Sequence, residues 1–155
     1  MSATKLPSPE SLAALVTGVT ETMLGIRFDL LPESREAPTE GWRAAVIPIQ
    51  GDRKLAVAVA ADLSSARDLT AAIFYCEPNE VEAEMIDDAL RELSNIVGGQ
   101  VKVSMNVDDA LGLPKILEPG NSSWEPPSRW QAATLQRGGI ATRVWVAVTE
   151  SFEAE

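Results

Sequence analysis

The chain contains no histidine. Without imidazole there is no Ser-His-Asp or Cys-His nucleophile pair, no histidine metal ligand, and no side chain whose ordinary pKa lies near neutrality. Most hydrolase mechanisms are excluded. A single cysteine, Cys76, rules out an internal disulfide and a two-cysteine zinc motif, and suits a reducing cytoplasm. As a nucleophile Cys76 would need a neighbouring base that the sequence does not name, so its expected role is that of a small buried hydrophobe. Basic residues are also scarce. Thirteen Lys and Arg stand against 23 Asp and Glu, a net charge of −10, which disfavours nucleic acid and anionic membrane surfaces as partners. No apolar run approaches the length of about 20 residues that a membrane span needs. Residues 1–9 hold one lysine and no apolar stretch, so no secretory signal is expected there and the protein is expected in the cytoplasm.

What is present is the composition of an ordinary soluble domain, 45% apolar and 23% charged, in 155 residues. That length supports one core without a staple. A single domain over 1–155 is expected, with flexible tails at 1–8 and 151–155. Ser8 followed by Pro9 predicts a helix start, and apolar residues at spacings of three and four carry that helix to a stop at Gly25. Residues 26–31 read as a strand and 32–41 as a loop. The runs 42–49 and 55–61, joined around Gly51, read as a hairpin; Pro48 cannot donate a ladder bond and so predicts an edge or a bulge. Asp62 is a good cap for a second helix over 63–76. Asn79 with Glu82 predicts a capping-box start for a third over 80–103. Beyond it come a polar loop, the segment L-G-L-P-K-I-L-E-P, and an exposed excursion over 120–128. The runs 130–136 and 140–148 around Gly138 and Gly139 give the strongest hairpin signal. Trp42, Trp130 and Trp145 fall in strand patterns and are expected to pack on the sheet. Helices segregated from hairpins imply an α+β fold: two layers, with three helices packed on a largely antiparallel sheet.

The third helix carries the most informative pattern. Ile86, Ala89, Leu90, Leu93 and Val97 gather on one side as a core stripe. Asp88, Glu92, Asn95 and Gly99, at i, i+4, i+7 and i+11, form a narrow line on the opposite side. Glycine at 98 and 99 weakens a helix by up to about 1 kcal/mol each relative to alanine. Either the helix stops early or something approaches its backbone closely. A solvated helix face commonly carries such acids and amides, and spacing alone does not establish chemistry. If the line is functional, Asn95 has no useful acid or base form and can act only by holding a ligand such as a water. In-line attack on a phosphoryl group, with metal and charge supplied by a partner, is a reaction that positioning alone can accelerate.

The segment from Asp88 through Glu92 and Asn95 to Gly99 resembles the Asp/Ser-x3-Glu-x2-Asn signature of the CheC/CheX/FliY family. The stretch E-T-M-L-G before a strand, the hairpin I-P-I-Q-G-D-R-K-L-A-V-A-V, the second helix and the L-P-K-I-L segment are similar in the same order. The first helix reads Glu21-Thr-Met-Leu24, with Leu where a second site would place Asn, so the resemblance is to CheX rather than to two-site CheC. The sequence departs from the family in a shorter distance from Asn95 to Pro114 and in the 120–128 excursion with Trp124. The resemblance implies a phosphatase acting on a phosphorylated CheY-type response regulator. Asn95 would orient the attacking water, and Glu92 would pair with the regulator's active-site lysine. Asp88 and Gly99 are candidates for partner contact. No cofactor is implied for this chain, since Mg²⁺ would be held by the regulator, and homodimers joined at sheet edges are implied as well. A non-catalytic module that binds a receiver domain, and a structural component of the flagellar switch, are the alternatives that keep the same fold.

Overall fold

The computed structural model describes residues 6–30, 42–51, 54–108, 110–117, 129–137 and 142–150. Helix α1, Pro9–Leu24, begins where Ser8 caps it, the hydroxyl accepting from the Ser11 N–H at 3.1 Å. It ends at Gly25, whose φ of 68° lets the Gly25 and Ile26 amides turn back onto the Glu21 and Thr20 carbonyls. Strand β1 is Phe28–Leu30; β2, Trp42–Ile49, and β3, Leu55–Asp62, form the first hairpin. Asp62 then caps helix α2, Leu63–Phe74, accepting from the Ser65 N–H at 2.7 Å. Helix α2 stops two residues before the expected end, with Tyr75 in the left-handed region at φ 58°.

The expected cap of the third helix is displaced. Asn79 does not start it; Pro78–Glu80 winds a short 3₁₀ turn in which the Glu80 carboxylate accepts from the Glu77 N–H at 2.9 Å. Buried, extended Val81 separates that turn from helix α3, Ala83–Met105, which is capped by Glu82 and ends two residues beyond the expected limit. Strands β4, Lys115–Leu117, β5, Arg129–Arg137, and β6, Arg143–Glu150, complete the chain.

Among the described residues six strands form one antiparallel sheet in the order β1-β5-β6-β3-β2-β4. This is the α+β fold with three helices that the pattern implies. One face carries the main core, in which Leu12 and Val16 of α1, Leu69 of α2 and the α3 stripe meet inward residues such as Ile47, Val57, Leu135 and Val146. The five stripe residues, Ile86, Ala89, Leu90, Leu93 and Val97, are all buried. The other face is small and alanine-rich, with Ala44, Ala58, Ala60, Ala132 and Ala147 beside Trp145 and half-buried Trp42. Cys76 is a free thiol packed at the margin of the main core.

Pro48 is not on an edge strand, because β4 pairs outside β2, but that pairing covers only Ala44 to Val46. At Pro48 the outer side is met by a looser segment, whose Gly112 N–H donates to the Pro48 carbonyl at 2.8 Å. The missing donor therefore interrupts no ladder. The expected loop over 32–41, residues Asp52 and Arg53, the expected excursion over 120–128, the expected turn at Gly138 and Gly139, residues 1–5 of the expected tail at 1–8, and the expected tail at 151–155 lie outside the described residues. Residues 6–8 of the expected first tail lead directly into α1. No helix among the described residues is long and apolar enough to cross a membrane.

Candidate functional site

Helix α3 lies across β2 and β3, flanked by α1 and α2. Its place over the sheet is fixed by apolar burial and by Arg43 of β2, whose Nε and Nη2 donate to the two carboxylate oxygens of Asp87 at 2.7 and 3.1 Å. That fork is half-buried and sits beside the candidate line, on the sheet side of the helix. Gly98 also belongs to this packing. A Cβ there would stand 3.1 Å from Ile47 Cγ2 and 3.4 Å from a Leu111 methyl. The helix therefore runs on through both glycines, and close approach is the reason for the first. Gly99 has no such neighbour: a Cβ built on it meets nothing within 4 Å.

Asp88, Glu92 and Asn95 are exposed on α3, and Gly99 is half-buried. Asp88 is engaged, accepting from Arg91 Nη1 at 3.1 Å. Glu92 and Asn95 have no hydrogen-bond partner among the described residues. They stand one turn apart, separated along the axis by about 4.5 Å at the 1.5 Å rise of an α-helix. Buried Leu93 and Ser94 lie between them, and the Ser94 hydroxyl is turned back onto the Arg91 carbonyl at 2.9 Å. The backbone carrying the two free side chains is thus anchored from beneath. A carboxylate and a carboxamide held this way can accept from a cation and orient a small polar ligand, and neither needs to exchange a proton.

A larger cavity, of about 610 Å³, opens at the start of α2 between Asp62, Ser65, Arg67, Asp68 and Thr142. Its polar groups already serve the fold. Asp62 caps α2, Ser65 Oγ accepts from the Arg143 N–H at 2.9 Å, and Asp68 Oδ2 accepts from Arg137 Nη1 at 3.0 Å and Thr142 Oγ1 at 2.7 Å. This cluster ties α2 to the β5–β6 hairpin, and its groups are committed to that tie. Among the described residues no three His, Cys, Asp or Glu side chains gather as a metal site. At the end of α1, exposed Arg27 holds its proton more firmly than a free guanidinium, because it hydrogen-bonds Glu21 and Asp29.

The family model described as chemotaxis phosphatase CheX matches residues 43–136, from β2 to the end of β5, and so contains all of α3. The chain belongs to the CheX family. Among solved structures, a chain of the CheX–CheY–BeF₃–Mg²⁺ complex of Borrelia burgdorferi superposes with a TM-score of 0.71 at 11% identity, covering 95% of this chain and 99% of that one. The chemotaxis protein CheX of Vibrio vulnificus gives 0.70 at 14% identity, covering 90% and 93%. The CheX of Desulfovibrio desulfuricans gives 0.68 at 16% identity, covering 90% and 96%. No curated protein sequence matches significantly. At these identities the likeness is one of fold. It extends over nearly the whole length of each of these chains.

Sequence reasoning passed over Met23 and Tyr75, which stand exposed beside Glu92 at the ends of α1 and α2. Large apolar side chains just inside and just past helix ends were the available signal.

Proposed function

We propose that this CheX-family chain dephosphorylates a CheY-type response regulator in the cytoplasm, with Asn95 as the group that positions the attacking water. The observation that carries the reading is the pair Glu92 and Asn95, exposed, unpartnered and one turn apart on an anchored helix. The family's description as a chemotaxis phosphatase supports it, as does the fold shared with a protein crystallised with CheY, BeF₃ and Mg²⁺. In this scheme α3 approaches the receiver's phosphorylated aspartate. The Asn95 carboxamide oxygen accepts from the water, and its NH₂ donates to a phosphoryl oxygen. The water oxygen attacks phosphorus in line, the bond to the aspartyl oxygen breaks, the carboxylate leaves, and the water's proton passes to the phosphate released. Glu92 fixes the register by pairing with a lysine of the receiver. The receiver holds the Mg²⁺, and this chain supplies no metal ligand. The acidic chain, at net charge −10, suits a partner that presents cations. Asp88 and Gly99 extend the contact along the helix, and a homodimer joined at a sheet edge belongs to the same reading.

The test is receiver dephosphorylation with and without the chain. Positioning by one amide supplies about 3–4 kcal/mol, so Asn95→Ala is expected to lower the rate about 10² to 10³-fold with binding intact. Glu92→Ala is expected to weaken binding as well. If the wild-type chain binds a receiver but never hastens hydrolysis, the phosphatase reading fails and a binding module remains.

A further inference from the structure

Beside Glu92, the ends of α1 and α2 and the middle of α3 enclose a groove of about 210 Å³. Val19 and Leu93 are buried in it, Met23, Ile73 and Tyr75 line it, and Glu92 closes one side. The groove is therefore continuous with the pair proposed to act on the receiver. Its volume falls below the roughly 300–1,000 Å³ of small-molecule sites and suits one large side chain. Two of its walls are unusually open for their chemistry, Met23 at 53% exposure and Tyr75 at 86%. Exposed apolar groups scattered singly need no explanation, but these two border one concave apolar surface.

Tyr75 supplies a second, independent observation. It is the chain's only tyrosine, and it ends α2 at φ 58°, a conformation that glycine or asparagine adopts far more readily. A bulky residue there strains the backbone, and nothing in the fold repays it, since the ring lies in solvent. Aromatic side chains offered this way act as anchors at interfaces, and methionine adapts its shape to what it meets. Along α3, on the other side of the groove from Tyr75, run the carboxylates of Glu84, Asp88 and Glu92, of which Asp88 alone is already paired to a cation.

We infer that this groove seats one bulky apolar side chain of the phosphorylated receiver, next to a lysine or arginine of the same surface, and that Tyr75 and Met23 select which receiver is accepted. The inference rests on the phosphatase reading for the identity of the partner but concerns affinity rather than rate.

The probe is a CheY-type receiver domain carrying BeF₃⁻ and Mg²⁺ for binding by calorimetry, and the same receiver phosphorylated for steady-state turnover. Tyr75→Asn and Met23→Ala are each expected to raise Kd and KM about 10- to 100-fold with kcat unchanged. Tyr75→Asn is also expected to raise Tm, because asparagine accepts the left-handed conformation. Asn95→Ala should show the opposite split, with kcat lost and Kd kept. If Kd and KM stay at wild-type values in both groove variants, the inference is overturned while the phosphatase reading stands. If the wild type binds without hastening hydrolysis, and both variants weaken that binding, the groove stands and the phosphatase reading falls. A wild type that neither binds nor accelerates across a panel of receivers overturns both.

Discussion

Adjacent glycines in the middle of α3 should respond to alanine with opposite signs. A helix-interior glycine costs about 0.8–1.0 kcal/mol relative to alanine. At Gly99 a methyl group meets nothing within 4 Å, so the whole of that gain is available. For a domain of this size it corresponds to a rise in Tm of about 2–4 °C. At Gly98 the same gain is opposed by Ile47 Cγ2 at 3.1 Å and a Leu111 methyl at 3.4 Å, and Ile47 is fully buried in the core. Overpacking of that kind costs about 1–3 kcal/mol, so Gly98→Ala should lower Tm. Thermal melts of the two variants, paired with kcat/KM on a phosphorylated receiver, read both parts of the argument. Gly99→Ala is expected to be the more stable protein and the poorer phosphatase, since the added methyl occupies space that the receiver's surface would cross. A lower Tm for Gly99→Ala would refute the account of the helix. An unchanged kcat/KM would remove Gly99 from the contact.

Asp87→Asn keeps the shape of the fork with Arg43 but removes its charge; with both side chains only about one-fifth exposed, the loss should be about 1–2 kcal/mol in urea unfolding, with kcat/KM unaffected. Gly112→Ala would set a Cβ 2.7 Å from Pro48 Cγ, a ring carbon that cannot rotate away. A loss of about 1–3 kcal/mol is expected, and an unchanged Tm would show that the segment yields there.

The parts of the fold that the sequence made legible are those set by adjacent residues. Ser8, Pro9 and Gly25 define α1 to the residue because a cap, a fixed φ and a left-handed stop act within one turn. The spacing of acids and amides does not settle the start of α3, because it admits two registers, Glu77 with Glu80 and Asn79 with Glu82. The choice between them falls to Val81, which burial holds extended. The end of α2 carries no glycine, so its stop at Tyr75 left no mark. Strand β4 has three residues, too few for alternation to register, and the pairings of β1 with β5 and β3 with β6 bring together segments that no local pattern links. The candidate line on α3 was readable because helical periodicity places Asp88, Glu92, Asn95 and Gly99 together whatever surrounds them. The groove was not, since it exists only where three helices meet.

Glu92 and Asn95 ride on an unbroken 23-residue helix seated on the sheet, and no hinge lies between them. Their spacing works as a fixed gauge that cannot flex to suit a visitor. On the proposed function, discrimination between receivers falls to the terrain around the gauge, at the ends of α1 and α2, and not to its two marks.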